Sequence, residues 1–227
     1  MFKKLILTAL LINGTAYSAQ NNPKDTLFSI SSVPNNIKED MIKKNIWNKN
    51  CPVDIQRLKL LNISYYDFDG NDHSDGKMIV LDKIAEKVSK VFKELYKQKF
   101  PIAKIKLIND YNGDDELSMA DNNSSAFMCR EITGGGRISL HSYGVAIDIN
   151  PIQNPFISID NLEIKISPKE GANFINRRNM RPGMIEPVVD IFTNNGFSIW
   201  GGTWNDPVDW MHFQLSRKEA EQLAESK

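Results

Sequence analysis

The chain has 227 residues, of which 41% are hydrophobic, and its 28 basic side chains are matched by 28 acidic ones. This length and composition are typical of one globular domain with a sizeable core. The zero net charge argues against nucleic acid as a partner, because binding a polyanion needs a basic surface.

The N-terminal segment is typical of a secretory signal peptide. Two lysines precede an apolar run over residues 5–12, and the small side chains of Ala16 and Ser18 offer a cleavage site. The run is too short to cross a bilayer, which needs about 20 apolar residues, although an uncleaved anchor is the alternative. We therefore predict a signal peptide over residues 1–18 and an exported protein, periplasmic or extracellular, with no stable membrane span after cleavage.

Cys51 and Cys129 are the only cysteines, and we predict that they form a disulfide. An even, low count in an exported chain suggests pairing, and a bridge across so long a loop stabilises a fold by about 4 kcal/mol on the entropy model. One alternative is a thiolate metal ligand, although neither cysteine has a CxxC partner. The other is a nucleophilic thiol, although an export compartment tends to oxidise it.

The first half of the chain has a polar extension followed by alternating strand and helix patterns. The extension covers residues 19–59, and to residue 45 it is predicted to be irregular apart from about one helical turn near 37–44. Beyond it we predict a strand over residues 63–68, a helix over 79–97 with an apolar stripe that faces the core, a strand over 102–108 and a polar loop over 111–124.

The second half of the chain is predicted to consist of short strands separated by turns. No boundary divides residues 60–227, which we predict to be one domain. Ser216 and Glu219 fit a capping box that opens a terminal helix. The other predicted elements are a strand over residues 145–150, a hairpin over 157–166, a surface loop over 168–184, a helix over 187–194 and strands over 197–200 and 210–215.

His141, Asp148 and His212 are the candidate metal ligands. Two imidazoles and one carboxylate form a three-ligand set that leaves zinc an open fourth position for water. Side chains alternate along a strand, so Asp148 points away from the apolar face of residues 145–149, and His212 points away from that of 211–215. The two side chains can therefore meet across neighbouring strands without either strand losing its core face.

The same alternation of side chains along a strand predicts where His141 and Asp209 lie. His141 is seven residues before Asp148, an odd separation, so we place it on a loop before the strand, with Gly144 allowing the chain to turn. Asp209 is three residues before His212 and should lie just ahead of the last strand, where it can reach a metal-bound water. Each of these residues alone is more often structural, and His73 is predicted to be a loop histidine near the site rather than a ligand.

These residues belong to motifs that resemble those of peptidase family M15, the zinc D-Ala-D-Ala carboxypeptidases, which include vancomycin-resistance enzymes and phage endolysins. The likeness is to the extensin-like or VanY-like branch and covers about residues 60–215. It rests on Ser139-x-His141-x-x-Gly144-x-Ala146-x-Asp148, on Asp209-x-x-His212, and on the stretches 122–130, 148–155 and 200–204.

The resemblance implies an α+β fold of the hedgehog and DD-peptidase type, with a mostly antiparallel sheet flanked by helices. It implies that His141, Asp148 and His212 bind one zinc ion per chain. Asp209 matches the catalytic base, Arg130 matches an arginine that holds the substrate carboxylate or polarises the scissile carbonyl, and Ser139 lies close to the substrate. The expected substrates are peptidoglycan stem peptides. Gln214 departs from the pattern, because relatives commonly have glutamate there.

Two other functions remain open from the residues. The same fold resembles the hedgehog signalling domain, in which a zinc site need not serve catalysis, so a zinc-containing binding domain is the main alternative. A structural zinc in an adhesion domain is the other, although it predicts four protein ligands. The mode of cleavage depends on how the loops over residues 111–124 and 168–184 close the cleft, so carboxy-, di- and endopeptidase modes all stay open, as does the oligomeric state.

Overall fold

The computed structural model describes residues 28–132 and 135–226, and it begins with a three-stranded antiparallel sheet in the order β1-β2-β3. Its strands are β1 (Phe28–Ser32), β2 (Leu58–Tyr66) and β3 (Asp72–Leu81). The prediction of an irregular extension is wrong for β1, which pairs with β2 from Phe28 opposite Ile63 to Ser32 opposite Lys59. The predicted signal peptide lies outside the described residues.

The rest of the polar extension contributes to the same core. The helical turn predicted near residues 37–44 is confirmed as α1 (Asn35–Lys43), and its Met41 is fully buried. Val33, Ile46 and Val53 are buried beside it in the main hydrophobic cluster. Residues 28–59 are therefore packed as an integral part of the fold.

The long amphipathic helix is confirmed, with a corrected start. α2 (Ala85–Lys97) buries the predicted stripe, including Val88 and Phe92, against β2. The sequence pattern placed the helix from residue 79, but residues 79–81 belong to β3 and are buried there by pairing with β2. The apolar side chains of residues 79–81 fit the spacing of a helix as well as that of a buried strand. Their pairing with β2, which is distant in the chain from α2, determines that they form a strand.

A second sheet, in the order β6-β11-β9, carries two of the candidate ligands, Asp148 and His212. Its strands are short, β6 (Ala146–Asp148), β11 (His212–Gln214) and β9 (Ile199–Trp200), and both pairings are antiparallel. The predicted strand over residues 102–108 is reduced to β4 (Lys104–Ile105), which pairs in parallel with β5 (Asn123–Ser124). The predicted loop over 111–124 contains a short helix, α3 (Asp115–Ala120), capped by Asp114.

The third sheet contains a hairpin. The predicted hairpin is confirmed as β7 (Phe156–Asp160) and β8 (Glu163–Ser167), and β10 (Val208–Asp209) pairs with β7 in the order β10-β7-β8. The remaining helices are α4 (Val189–Asn194) and α5 (Arg217–Glu225), the latter opened by the predicted capping box. The mixture of helices with largely antiparallel sheets confirms the α+β class. Among the described residues, no helix is long and apolar enough to cross a membrane.

The asparagines that follow β6 hold neighbouring segments together. The side-chain amide of Asn150 donates to the carbonyl oxygens of Pro101 (2.8 Å) and Gly183 (3.2 Å). That of Asn154 donates to the carbonyl oxygens of Ile149 (3.0 Å) and Gly183 (2.9 Å). Buried backbone carbonyls need such partners. Asn154, in the stretch over residues 148–155, therefore ties the loop over residues 168–184 to the strand that ends in Asp148.

The predicted disulfide between Cys51 and Cys129 is confirmed. The two Cα atoms are 5.8 Å apart and the bridge closes a separation of 78 residues. It fastens the segment after α1 to the residue that immediately precedes Arg130, and the N–H of Cys129 also donates to the carbonyl of Ile46 (3.0 Å). The polar extension is thereby anchored beside the candidate site.

Gly144 is required by the backbone at the turn between His141 and β6. Its φ is +67°, and a Cβ there would lie 2.7 Å from the backbone nitrogen of Leu81. Gly70 has a similar φ of +80°, but a Cβ at Gly70 would meet no other atom within 4 Å. We expect Gly70→Ala to lower the free energy of unfolding by about 1 kcal/mol, the usual penalty for a left-handed residue.

Gly144→Ala should lower the free energy of unfolding by at least about 2 kcal/mol more than Gly70→Ala does, because the backbone of Leu81 must also move. Urea unfolding followed by circular dichroism measures both variants. Equal losses for the two would show that the contact with Leu81 does not matter.

Candidate metal centre

His212 and Asp148 lie directly opposite each other on the paired strands β11 and β6. Both side chains are buried, and His212 Nδ1 is 2.9 Å from Asp148 Oδ1. The residues beside them follow the predicted alternation, since Ile147 and Phe213 pair next along the same strands and face the core. Strand register therefore brings together two side chains that are 64 residues apart in the chain.

His141 joins this pair from the turn before β6. It lies in a 3-10 helix, Leu140–Tyr143, which ends at the left-handed Gly144. Its Nε2 is 3.1 Å from Asp148 Oδ2 and 3.2 Å from His212 Nδ1. The donor atoms of the three residues all lie within 4.8 Å of one another, so they are close enough to share one ion.

Hydrogen bonds on the far side of each ring set which nitrogen of each histidine faces the centre. His141 Nδ1 is 2.5 Å from the carbonyl oxygen of Ala126, so it must carry the hydrogen, which leaves Nε2 with a lone pair. His212 Nε2 is 2.7 Å from Gln214 Oε1 and donates to it, which leaves Nδ1 with a lone pair. Ring partners of this kind orient metal-binding histidines in proteins.

The centre is electron-rich and calls for a cation. Burial works to raise the pKa of the Asp148 carboxyl, but the charges and hydrogen bonds of His141 and His212 hold it well below its usual range. Burial works to lower the pKa of His212, but the hydrogen bond and charge of Asp148 raise it to about 9. Two lone pairs and a carboxylate thus converge on one point, which a proton or a metal ion can occupy, and zinc accepts this set of donors.

Asp209 lies at the end of β10, just ahead of the strand that carries His212. Gly201 makes room for it, since a Cβ at that position would lie 2.4 Å from the carbonyl oxygen of Asp209 and 2.9 Å from its Cβ. Asp209 Oδ1 is buried and has no hydrogen-bond partner among the described residues. Burial, together with the charge of Asp148, raises the pKa of Asp209 to about 7, although His212 and Arg130 act in the opposite direction. Such a carboxylate can exchange a proton at neutral pH.

Arg130 is held in place by a residue that the sequence patterns did not single out. Its Nη2 is 2.7 Å from Asp115 Oδ2 at the start of α3, and its Nη1 donates to the carbonyl oxygen of Glu131 (3.0 Å). Its Nε is buried and has no partner among the described residues. The prediction of a loop over residues 111–124 did not include this ion pair. Asp114 followed by two acids was a usable signal of a helix start, but not of a partner for Arg130.

Ser139 and His73 make contacts within the fold. Ser139 lines the cleft but is buried, and its Oγ accepts a hydrogen bond from the backbone N–H of His141 (3.2 Å), which caps the 3-10 helix. His73 lies in β3, where its Nε2 is 2.8 Å from Asp67 Oδ2 and its ring stacks on Tyr65 at 4.9 Å. The prediction of a loop position near the site is wrong for His73, because strand pairing places it away from the cleft.

The candidate ligands His141, Asp148 and His212 lie in a cleft of about 1240 Å³. The hairpin β7–β8 contributes Phe156 and Lys165 to one wall, and α3 contributes to another. Trp204, in the tryptophan-glycine motif, lies with its ring centroid 5.6 Å from that of His212. A cleft of this size exceeds the volume of a typical small-molecule pocket and can hold an extended peptide across the centre.

Comparison with known proteins shows that part of the chain is similar to one family. Residues 133–215 match a family model described as D-alanyl-D-alanine carboxypeptidase. This range contains His141, Asp148, Asp209 and His212, and Arg130 precedes it by three residues. The match confirms the resemblance to peptidase family M15 and supports a peptidase, in a family whose members depend on zinc. Neither the curated proteins nor the solved structures contain a significant match.

Proposed function

From the match of residues 133–215 to peptidase family M15, we propose that this chain is an exported, zinc-dependent peptidase that cleaves peptidoglycan stem peptides. The observation that carries the proposal is the buried convergence of His141, Asp148 and His212, with the unpartnered carboxylate oxygen of Asp209 in the same cleft. A binding domain would need the ligands but would have no use for a buried, unpartnered acid beside them.

The proposed metal ligands are His141 Nε2, Asp148 and His212 Nδ1. Three protein ligands are typical of catalytic zinc, whereas structural zinc has four. The chemistry that zinc supplies in such a site is Lewis acidity, which polarises a carbonyl and makes water more acidic. Ala126 and Gln214 support the site by accepting the outer ring hydrogens of the two histidines, so each imidazole is already in the tautomer that a metal needs.

Asp209 is the proposed general base and acid. It accepts the proton of the attacking water and passes it to the leaving amine, roles for which its buried carboxylate oxygen, without a partner among the described residues, is free. Arg130 is the proposed electrophilic contact, because its guanidinium can donate to the oxygen of the scissile carbonyl or to a substrate carboxylate. Asp115 holds that guanidinium at its Nη2 (2.7 Å), so Arg130 is oriented before substrate arrives.

The substrate class follows from the family and from the predicted export. Peptidoglycan lies outside the cytoplasmic membrane, and the disulfide between Cys51 and Cys129 is consistent with an oxidising compartment. We therefore propose stem peptides as substrates, bound in the cleft of about 1240 Å³ around the centre.

Mass spectrometry of defined muropeptides, incubated with zinc-loaded protein, tests this function. We expect a product that disappears when the metal is removed with a chelator and returns when zinc is restored. Loss of one D-alanine, release of a dipeptide and cleavage after L-alanine are the three products that distinguish the carboxy-, di- and endopeptidase modes. The absence of any zinc-dependent product from all the muropeptides would contradict the proposal and favour the binding domain.

A further inference from the structure

We propose that the cleft contains an anion-binding subsite, built on Arg217 and Arg137, that takes a free carboxylate of the peptide substrate. The inference rests on the proposed peptidase function and adds a specificity determinant to it. Both arginines line the same cleft as the candidate metal centre. Neither belongs to the motifs that carry the resemblance to the family.

Arg217 is oriented but keeps most of its donors free. It is the first residue of α5, and its Nη2 donates to the carbonyl oxygen of Ile138 (2.8 Å). Its guanidinium carbon lies 5.9 Å from the centre of the ring of Tyr143, which belongs to the same 3-10 helix as His141. One of five N–H groups is thus engaged, and the planar fork remains available for a carboxylate.

Arg217 and Arg137 are the unpaired arginines of the cleft among the described residues, and Glu116 and Glu131 are acids in the same lining. Among the described residues, no carboxylate lies within 4.0 Å of the guanidinium nitrogens of Arg217 or Arg137, whereas the other cations of the cleft are paired. Arg130 pairs with Asp115 at 2.7 Å, and Lys165 pairs with Asp160. The nearby Glu131 instead accepts a hydrogen bond from the backbone of Gly136 (3.2 Å).

The chain path places this charge close to the candidate metal centre. Ile138, which anchors Arg217 and adjoins Arg137, is three residues before His141. Three residues span at most about 10 Å. On the other side, Gln214, which bonds to His212, is three residues before Arg217. The subsite therefore adjoins both segments that carry the proposed histidine ligands, and the carboxylate that it takes belongs to a residue near the scissile bond.

A substrate carboxylate fits this subsite better than an uncharged group. Two guanidinium groups that lack acidic partners gain charge-assisted hydrogen bonds from a carboxylate, whereas a carboxamide in the same place offers one weaker acceptor and two donors that repel them. A stem peptide in which glutamate is linked through its side chain keeps such a free carboxylate, and amidation removes it. The subsite would thus distinguish the acid from the amide form of otherwise identical peptides.

The test compares two peptides that differ only in this group. A muropeptide that the zinc-loaded protein cleaves is prepared with glutamate as the free acid and as the carboxamide, and kcat and KM are measured for both. We expect the parent protein to favour the acid by about tenfold, mainly in KM, the value for a partly exposed charge-assisted contact. In Arg217→Met, which keeps the aliphatic stem, the ratio should fall towards one. Lys218→Met, an exposed neighbour outside the cleft, should keep the parent ratio.

The outcomes separate this subsite from the proposed function. A parent protein that cleaves both peptides equally well, or an Arg217→Met variant with an unchanged preference, overturns the subsite while the peptidase function stands. If the protein cleaves no muropeptide, the function itself is contradicted, and binding of the acid and amide forms to zinc-free protein then decides the subsite. Tryptophan fluorescence, to which Trp204 in the cleft contributes, measures this binding: tighter binding of the acid supports the subsite and equal binding overturns it. Thermal unfolding checks that each variant is folded. If Arg217→Met is not, Arg137→Met takes its place, because the side chain of Arg137 is exposed.

Discussion

Replacing Asp209 with asparagine should lower kcat/KM for muropeptide cleavage by at least about 100-fold while the protein still binds one zinc ion. The loss is that of a general base, which typically contributes a factor of about 100 to 10,000. Asparagine preserves the shape of the side chain, which matters because Gly201 leaves little space around it. Zinc should be retained because Asp209 is not one of the three converging donors.

Steady-state kinetics with a cleaved muropeptide measure the effect, and elemental analysis of the purified protein measures the zinc. Asp206→Asn is the matched control, since Asp206 is an acid three residues earlier that lies outside the cleft. The control variant should retain nearly full activity. An Asp209→Asn variant that turns over at the parent rate would exclude this residue as the base, whatever the metal content.

Replacing His212 with alanine should abolish stoichiometric zinc binding and, with it, cleavage. His212 supplies one of only three protein donors, and it also fixes Asp148, whose Oδ1 lies 2.9 Å from its Nδ1. Removing even the outer hydrogen-bond partner of a metal ligand weakens binding by about 10- to 100-fold, so loss of the ligand itself should exceed that range. Isothermal titration with zinc, after removal of bound metal, measures the change directly.

A second readout of His212→Ala does not depend on activity. A ligand that binds only the folded state raises its stability, so zinc should raise the Tm of the parent protein but not that of the variant. His73→Ala is the matched control, because His73 pairs with Asp67 away from the cleft and should keep one zinc ion. Full metal content in His212→Ala would refute the ligand assignment and leave the buried trio as a hydrogen-bonded network.

The roles of Asp209 and His212 can be separated because their positions have different structural causes. His212 lies opposite Asp148 through the register of β6 and β11, whereas Asp209 is in β10, which pairs with β7 of the hairpin. The proposed base is therefore attached to one sheet and two of the three proposed ligands, Asp148 and His212, to another. Changes in the hairpin should consequently affect turnover more than metal affinity, because they move the base relative to the centre.

Local patterns determined much of this protein. The alternation of apolar and polar residues placed Asp148 and His212 on the side of their strands away from the core, and the odd spacing put His141 before its strand. Helical spacing identified α2, the capping box at Ser216 identified α5, and an even cysteine count identified the disulfide. Each of these signals depends on residues that are close in the chain or on chemistry that needs no partner to be recognised.

Only the tertiary structure decided the rest, because it depends on pairing between distant residues. β1 and the end of β3 form through contacts with β2, and their local sequences fit other conformations. The tautomer of His141 depends on Ala126, and the orientation of Arg130 depends on Asp115, each 15 residues away in the chain. The sequence thus identified which side chains could bind a metal, whereas the path of the chain determined which nitrogens face it and which charges of the cleft remain free.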